Sequence, residues 1–126
     1  MARILIADDD AHMVRLIAMW LLRNGHEVFE SANGRVAQEV LSTRPIDLVV
    51  SDVNMPGIDG IGLVRWIRTE AKLTIPILLL SSRCDQSNMA AQMAEFGVRV
   101  HPKPFSPSRL LEEISRLLTA KEAATV

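Results

Sequence analysis

Acidic side chains follow two short apolar segments of this sequence. Asp8, Asp9 and Asp10 come directly after Ile-Leu-Ile-Ala, and Asp52 follows Leu-Val-Val-Ser. Two carboxylates about 4 Å apart repel by roughly 4 kcal/mol at an effective dielectric constant of about 20, so a fold that gathers several of them needs a cation. Carboxylate oxygens suit Mg²⁺, which also binds phosphate oxygens. These residues therefore predict a magnesium pocket in which the Asp52 carboxylate can accept a phosphoryl group.

A hydroxyl and an ammonium group follow two further apolar segments. Ser81 ends Ile-Leu-Leu-Leu, and Lys103 comes shortly after Val98–His101. Beside a metal ion, such groups can bind the remaining oxygens of a phosphoryl group. Each residue also has an ordinary interpretation, since a serine can simply end a strand and most lysines are solvated. An aspartate can cap a helix, but three acids in succession exceed the need for one cap.

The elements that must position these residues alternate between strand and helix. Apolar, β-branched runs predict five strands, at Arg3–Ala7, Glu27–Glu30, Asp47–Ser51, Ile75–Ser81 and Val98–His101. Helical spacing of apolar residues between and after them predicts five helices. This alternation favours an α/β fold, a doubly wound parallel sheet with helices on both faces.

The polarity of the strands predicts their order. The first, third and fourth are continuously apolar, as expected of strands buried on both faces. The second carries Glu27 and Glu30, and the fifth carries Arg99 and runs into Pro102, which places both at the edges. Right-handed crossovers then favour the flavodoxin-like order 2-1-3-4-5. Binding sites of such sheets lie at the carboxyl ends of the strands, where the aspartates, Ser81 and Lys103 are expected to meet.

Composition narrows the functional classes. The chain has 126 residues and a net charge of −1, which favours one domain and gives no general attraction for nucleic acid or anionic membranes. Cys84 is the only cysteine, so no internal disulfide can form. No segment resembles a signal peptide or reaches the roughly 18 apolar residues of a membrane span, and a cytoplasmic location is expected. We expect a domain over residues 1–120, with 121–126 a tail or the start of a linker.

The sequence resembles the receiver domains of two-component response regulators, and the resemblance extends from Arg3 to about Leu118. Four motifs carry it, in the same order and spacing: Ile-Leu-Ile-Ala-Asp-Asp-Asp, Ser-Asp-Val-Asn-Met-Pro-Gly-Ile-Asp-Gly, Leu-Leu-Leu-Ser-Ser-Arg and Lys-Pro-Phe. It implies a signalling module that catalyses only its own phosphorylation and dephosphorylation. It also implies a sensor histidine kinase or histidine phosphotransfer protein as donor, a downstream effector or output domain, and a possible phosphorylation-dependent homodimer.

The resemblance also implies a role for each site residue. Asp52 would be the phosphoacceptor and a metal ligand. Asp9 would bind Mg²⁺ directly, Asp8 largely through a water, and Asn54 through its backbone carbonyl. Ser81 would be the hydroxyl that turns toward the phosphoryl group, and Lys103 would contact that group from the other side.

One position departs from the pattern of the family. An aromatic residue usually lies three residues before the lysine, and here that residue is Val100. Valine has no ring to rotate, so the resemblance does not carry a ring-rotation switch onto this chain. The phosphorylation chemistry is expected to be intact, with its signal transmitted differently through the fourth helix, fifth strand and fifth helix.

The first predicted helix is apolar over more than one face. Its expected buried stripe repeats at helical spacing and is flanked by further apolar residues. The stripe comprises Met13, Leu16, Ile17, Trp20 and Leu21, and the flanking residues are Val14, Met19 and Leu22. The flank is either part of a wide buried face or a docking patch for a kinase or phosphotransfer helix.

Three other functions compete with a phosphorylated signalling module. A phosphatase with an aspartate nucleophile would need a second aspartate two residues after the first, where this sequence has Asn54. A flavin mononucleotide binder would need a phosphate loop after the first strand, where three acids would repel phosphate. A pseudo-receiver that only binds a partner would not need the acids, Ser81 and Lys103 together.

Overall fold

The computed structural model describes residues 2–81, 86–103 and 106–124. Strand and helix alternate along the chain in the order that the apolar pattern predicts. The strands are β1 Arg3–Ala7, β2 Glu27–Ser31, β3 Leu48–Asp52, β4 Ile77–Ser81 and β5 Val98–Pro102. The helices are α1 Ala11–Arg23, α2 Gly34–Thr43, α3 Gly60–Arg65, α4 Gln86–Ala94 and α5 Pro107–Ala124. A π-helical turn, Trp66–Glu70, continues α3.

The sheet is parallel, and its strand order confirms the prediction, β2-β1-β3-β4-β5. In the pairing of β1 with β3, Ala7 lies opposite Ser51, so the residues that follow, Asp8 and Asp52, reach the same edge together. In the pairing of β3 with β4, Asp52 itself lies opposite Leu80. The topology thus brings the ends of three adjacent strands to one edge.

Two apolar clusters hold the helices against the two faces of the sheet. Helices α1 and α5 pack on one face, through residues such as Ile17, Leu21 and Ile114. Helices α2, α3 and α4 pack on the other, where Met89 and Met93 are buried. Within the described residues, the structure contains no helix with the length and apolarity needed to cross a membrane.

The limits of several elements follow from local chemistry. Asp10 caps α1, because its side chain accepts hydrogen bonds from the backbone N–H groups of His12 (3.0 Å) and Met13 (3.3 Å). Helix α1 ends at Asn24, and Gly25 follows with φ +84°. Ser106 caps α5 by accepting a hydrogen bond from the N–H of Arg109.

The predicted stripe of α1 was wrong in its rotation. The helix buries Val14, Ile17, Ala18 and Leu21, whereas Leu16, which we expected to be buried, is 39% exposed. When the small Ala18 is counted as part of the apolar face, the centre of that face moves away from Leu16 and toward Val14 and Ala18.

Several boundaries also differ by one or two residues. Strand β3 covers Leu48–Asp52 rather than Asp47–Ser51, and β4 begins at Ile77 rather than Ile75. Asp47, the residue before β3, accepts a hydrogen bond from the N–H of Arg3 through its carboxylate and donates its own N–H to the Arg3 carbonyl. Helix α5 continues to Ala124, past the apolar residues that predicted it, through alanine, lysine and glutamate residues with high helix propensity.

Candidate metal centre and phosphoacceptor site

Three carboxylates meet at the carboxyl edge of the sheet. One oxygen from each of Asp8, Asp9 and Asp52 lies within 4.8 Å of the others. Asp8 and Asp9 directly follow β1, and Asp52 is the last residue of β3, so adjacent parallel strands deliver all three. Asp8 and Asp52 are buried while Asp9 is exposed, which leaves the cluster open to solvent on one side.

Asp8 is the most deeply buried of these acids, at 2% exposure. One of its oxygens, Oδ1, accepts a hydrogen bond of 2.9 Å from the backbone N–H of Asp10. The other, Oδ2, is buried without a hydrogen-bond partner in the part of the chain that the structure describes. Burial, helped by the charges of Asp52 and Asp9, raises the pKa of Asp8 to about 6, against the opposing effects of the Asp10 N–H and Lys103.

Lys103 supplies positive charge to this cluster. Its Nζ lies 2.9 Å from Asp52 Oδ1 and 3.9 Å from Asp8 Oδ2, and its side chain is 21% exposed. The backbone N–H of Lys103 donates a hydrogen bond of 2.7 Å to the carbonyl of Ser81. This bond holds the backbone of Lys103 against the end of β4, the strand next to β3.

The cluster has the charge and the ligand chemistry of a divalent cation site. Three ionised carboxylates and one ammonium group leave two negative charges, which one Mg²⁺ would balance. All the available ligand atoms are hard oxygens, the type that Mg²⁺ prefers. A buried oxygen that accepts no hydrogen bond costs free energy unless a ligand satisfies it, and among the described residues Asp8 Oδ2 is such an atom. The residues present therefore fit a magnesium ion.

The other predicted site residues lie at the same edge. Ser81 is buried at the end of β4, one position beyond Leu80, which pairs with Asp52. Asn54 is exposed in the loop that follows β3, two residues after Asp52. Val100 is partly buried and packs against the cluster on the α2–α3–α4 face. Cys84 and the remainder of the two motifs after Ser81 and Lys103 lie outside the described residues.

His12, close to the acidic cluster in sequence, is exposed on α1. Two glycines close to the site were not predicted to matter. A Cβ on Gly60 would lie 2.3 Å from the backbone oxygen of Asp52, and one on Gly34 would lie 2.6 Å from that of Ile58. Both glycines are the first residue of a helix, after Asp59 and Asn33. The sequence indicates the helix starts, but not that two loops approach each other there.

Comparison with known proteins agrees with this arrangement. Residues 4–115 match the family model of the response regulator receiver domain. Protein PetR of Rhodobacter capsulatus is 37% identical over 115 residues, covering 91% of this chain and 48% of PetR. The phosphate regulon transcriptional regulatory protein PhoB of Pseudomonas aeruginosa is 36% identical over 117 residues, covering 91% of this chain and 51% of PhoB. The chain thus spans about half the length of these curated relatives.

The fold has close counterparts among solved structures. The chemotaxis response regulator CheY4 of Vibrio cholerae superposes with a TM-score of 0.85 at 29% identity, covering 93% of this chain and 98% of CheY4. The family match, the strand order and the position of the acidic cluster agree with one another. This chain belongs to the receiver domains of response regulators, the signalling modules of two-component systems.

Proposed function

We propose that this receiver domain accepts a phosphoryl group on Asp52 in a Mg²⁺-dependent reaction, with a phosphohistidine of a partner protein as donor. One observation carries the proposal. The buried Asp52 carboxylate, 2.9 Å from the Lys103 ammonium, lies in a cluster with two further carboxylates, one of which has a buried oxygen that accepts no hydrogen bond from the described residues. A cluster of this kind gains from a cation and a phosphoryl group together, and little else accounts for it.

In the proposed reaction an oxygen of Asp52 attacks phosphorus and the P–N bond to the donor histidine breaks. The electron pair of that bond stays on the imidazole, which takes up a proton. Lys103 holds Asp52 through Oδ1 and lies where it can bind an oxygen of the arriving group. The register of β1, β3 and β4 fixes the attacking carboxylate before the donor arrives, which lowers the entropic cost of the step.

Asp8, Asp9, Asp52 and the backbone carbonyl of Asn54 are the proposed holders of the ion. When bound, Mg²⁺ would neutralise charge that develops on the phosphoryl oxygens. Asp8 is held by the N–H of Asp10, so its second oxygen is the one available to the ion or to a water bound to it. The exposed Asp9 borders the open side of the cluster.

Ser81 is proposed as the hydroxyl that binds the phosphoryl group after transfer, because it ends the strand next to β3 and is tied to Lys103. Val100, which packs with the core, offers no rotating ring to report that event. Relatives such as PhoB are named as transcriptional regulatory proteins. We propose that the phosphorylated domain likewise acts on a downstream effector or an output domain, and that it can do so as a homodimer.

The outer face of α1 is the proposed docking surface for the histidine-bearing partner. Leu16, Met19 and Leu22 are 39%, 42% and 57% exposed, and they line a groove of about 650 Å³. Arg15 and Glu30, an ion pair 3.8 Å apart, border both this groove and a cavity of about 270 Å³ that reaches Asp8 and Asp9. A helix seated on α1 would thus place its phosphohistidine near the acidic cluster.

The phosphoacceptor proposal is tested with Mg²⁺ and acetyl phosphate, read as intact mass. The wild-type protein should gain one phosphoryl group, and Asp52→Asn should gain none. Asp10→Asn is the matched control at the same edge, and it should gain the group like the wild type. No gain in the wild type would favour a pseudo-receiver, and a gain that survives Asp52→Asn would contradict the choice of nucleophile.

The docking surface is tested with a phosphohistidine donor that phosphorylates the wild-type protein. Leu22→Asp should slow transfer from this donor by about tenfold, while phosphorylation by acetyl phosphate stays unchanged. Val36→Asp is the control, because Val36 is an exposed apolar residue (36%) of α2, which packs on the opposite face of the sheet. Equal transfer rates for the two variants would rule out α1 as the docking surface.

A further inference from the structure

The loop between β3 and α3, residues 53–59, carries the Asn54 carbonyl that is proposed as a metal ligand. Its two ends are fixed differently. At the first end, the N–H of Val53 donates to the carbonyl of Leu80 (3.1 Å), and the carbonyl of Val53 accepts from the N–H of Gly60 (2.9 Å). The Met55 side chain is buried, which anchors the middle of the loop. These bonds connect the loop to β4 and α3.

The far end of the loop is held by a different element. Gly34, the first residue of α2, lies against Ile58 so closely that a Cβ there would be 2.6 Å from the Ile58 carbonyl oxygen and 2.8 Å from its Cβ. Contacts under 3.0 Å do not occur between real atoms of these types, so any side chain at position 34 would displace the loop or the helix. Gly34 is buried, which leaves little room for such a shift.

Gly34 is also connected to the other half of the site. Two residues separate it from Ser31, the last residue of β2. The backbone carbonyl of Ser31 accepts a hydrogen bond of 3.1 Å from the N–H of Asp8. The Ser31 hydroxyl in turn donates to the carbonyl of Ile6 in β1 (3.0 Å). The segment from Ser31 to Gly34 therefore links the strand end that carries Asp8 and Asp9 to the loop that carries Asn54.

We propose that Gly34 is a positioning residue of the Mg²⁺ site. Its missing side chain lets α2 begin against Ile58, and this contact, together with the Val53 hydrogen bonds, sets the distance between the Asn54 carbonyl and the carboxylates of Asp8 and Asp9. The inference rests on the proposed function, because it concerns the affinity of the ion that the acidic cluster is proposed to hold. Residues that orient metal ligands commonly change metal affinity by 10-fold or more when they are altered.

The test measures Mg²⁺ binding by titration calorimetry on the intact chain, together with the melting temperature. Gly34→Ala should weaken Mg²⁺ binding by roughly tenfold. It should also raise the Mg²⁺ concentration needed for half-maximal phosphorylation by acetyl phosphate, with a nearly unchanged rate at saturating Mg²⁺. Gly62→Ala is the matched control, because its Cβ would meet only side-chain atoms, Asp59 Oδ1 at 3.2 Å and Ile58 Cγ2 at 3.4 Å, rather than backbone under 3.0 Å. Its Mg²⁺ affinity should equal that of the wild type.

A second pair of variants keeps the test decisive if Gly34→Ala does not fold. Ile58→Ala removes the side chain that packs against Gly34, and Ile61→Ala truncates another partly buried isoleucine of the same apolar cluster. Ile58→Ala should weaken Mg²⁺ binding more than Ile61→Ala at a similar loss of melting temperature. Equal Mg²⁺ affinities within each pair would overturn the role of Gly34, whereas a wild-type protein that binds no Mg²⁺ would instead overturn the proposed function.

Discussion

Two charged side chains at opposite ends of the sheet, the partly buried Arg68 and the buried Asp8, have different hydrogen-bonding environments. Arg68, in the π-helical turn after α3, lies at the amino end. Its guanidinium donates to three backbone carbonyls, those of Phe96 (2.7 Å), Leu73 (2.9 Å) and Ile75 (2.8 Å). Burial lowers the pKa of Arg68, but the three carbonyls accept from three of its five N–H donors and join the π-helical turn to the segment before β4 and the turn after α4.

Asp8, at the carboxyl end, has the opposite environment. It lies beside two further carboxylates, and its Oδ2 is buried without a hydrogen-bond partner among the described residues. At the amino end, three backbone carbonyls accept hydrogen bonds from the Arg68 guanidinium. At the carboxyl end, Asp8 Oδ2 accepts no hydrogen bond from the described residues, so a ligand would have to supply one. A satisfied buried charge stabilises the fold, whereas an unsatisfied one indicates a site that a ligand completes.

The largest expected effect comes from removing the satisfied charge. Arg68→Met would leave three carbonyls without their donor and should lower the free energy of unfolding by about 3 kcal/mol, measured by urea denaturation. Mg²⁺ affinity should not change, because Arg68 lies at the other end of the sheet. Arg65→Met, an exposed arginine in α3, is the control and should cost little. Equal losses from the two variants would show that the carbonyl contacts contribute nothing.

Asp8 should make the free energy of unfolding depend on pH. Its pKa of about 6 lies above the usual 3.8, so the folded protein binds the proton more tightly than the unfolded chain. The stabilisation is therefore complete below about pH 4 and is lost as the pH rises through about 6. In EDTA, the unfolding free energy of the wild type should fall by roughly 2 kcal/mol more than that of Asp8→Asn between about pH 4 and pH 7.

Mg²⁺ should reverse this loss at neutral pH in the wild type, because the ion binds the ionised cluster and not the unfolded chain. The measurement is urea denaturation across the pH range with and without the ion. Parallel pH curves for the wild type and Asp8→Asn would mean that Asp8 carries no buried charge, and the contrast with Arg68 would be lost.

The features that could be predicted from the sequence are those set by local pattern. Glu27 and Glu30 in one strand and Arg99 with Pro102 in another placed β2 and β5 at the edges, and the order followed. The acids, Ser81 and Lys103 directly follow or end apolar strands, so the parallel arrangement alone brings them to one edge. The same logic does not fix which oxygen is satisfied or how far apart the groups lie.

The features that could not be predicted depend on contacts between distant segments. The rotation of α1 was wrong at Leu16, since the small Ala18 faces the sheet and only packing against it decides that face. The hydrogen bonds of Arg68 follow no local pattern, because its acceptors are backbone carbonyls that lie 5, 7 and 28 residues away. The approach of Gly34 to Ile58 likewise joins two loops that no local pattern relates.

The smallest expected effect comes from replacing Asp9, and it distinguishes charge repulsion within the acidic cluster from the helix capping that Asp10 provides. Asp9 belongs to the cluster but is exposed, so solvent screens its charge, and Asp9→Asn should raise stability without metal by about 0.5 kcal/mol, read as a higher melting temperature. Asp10→Asn is the matched control, because asparagine caps a helix as well as aspartate does, and it should change little. Adding Mg²⁺ should raise the melting temperature of the wild type and of Asp10→Asn, but less that of Asp9→Asn. If Asp9→Asn lowered the melting temperature and Mg²⁺ also lowered that of the wild type, the carboxylates would not repel one another. The buried Asp8 Oδ2, which accepts no hydrogen bond from the described residues, would then be a packing defect rather than part of a metal site.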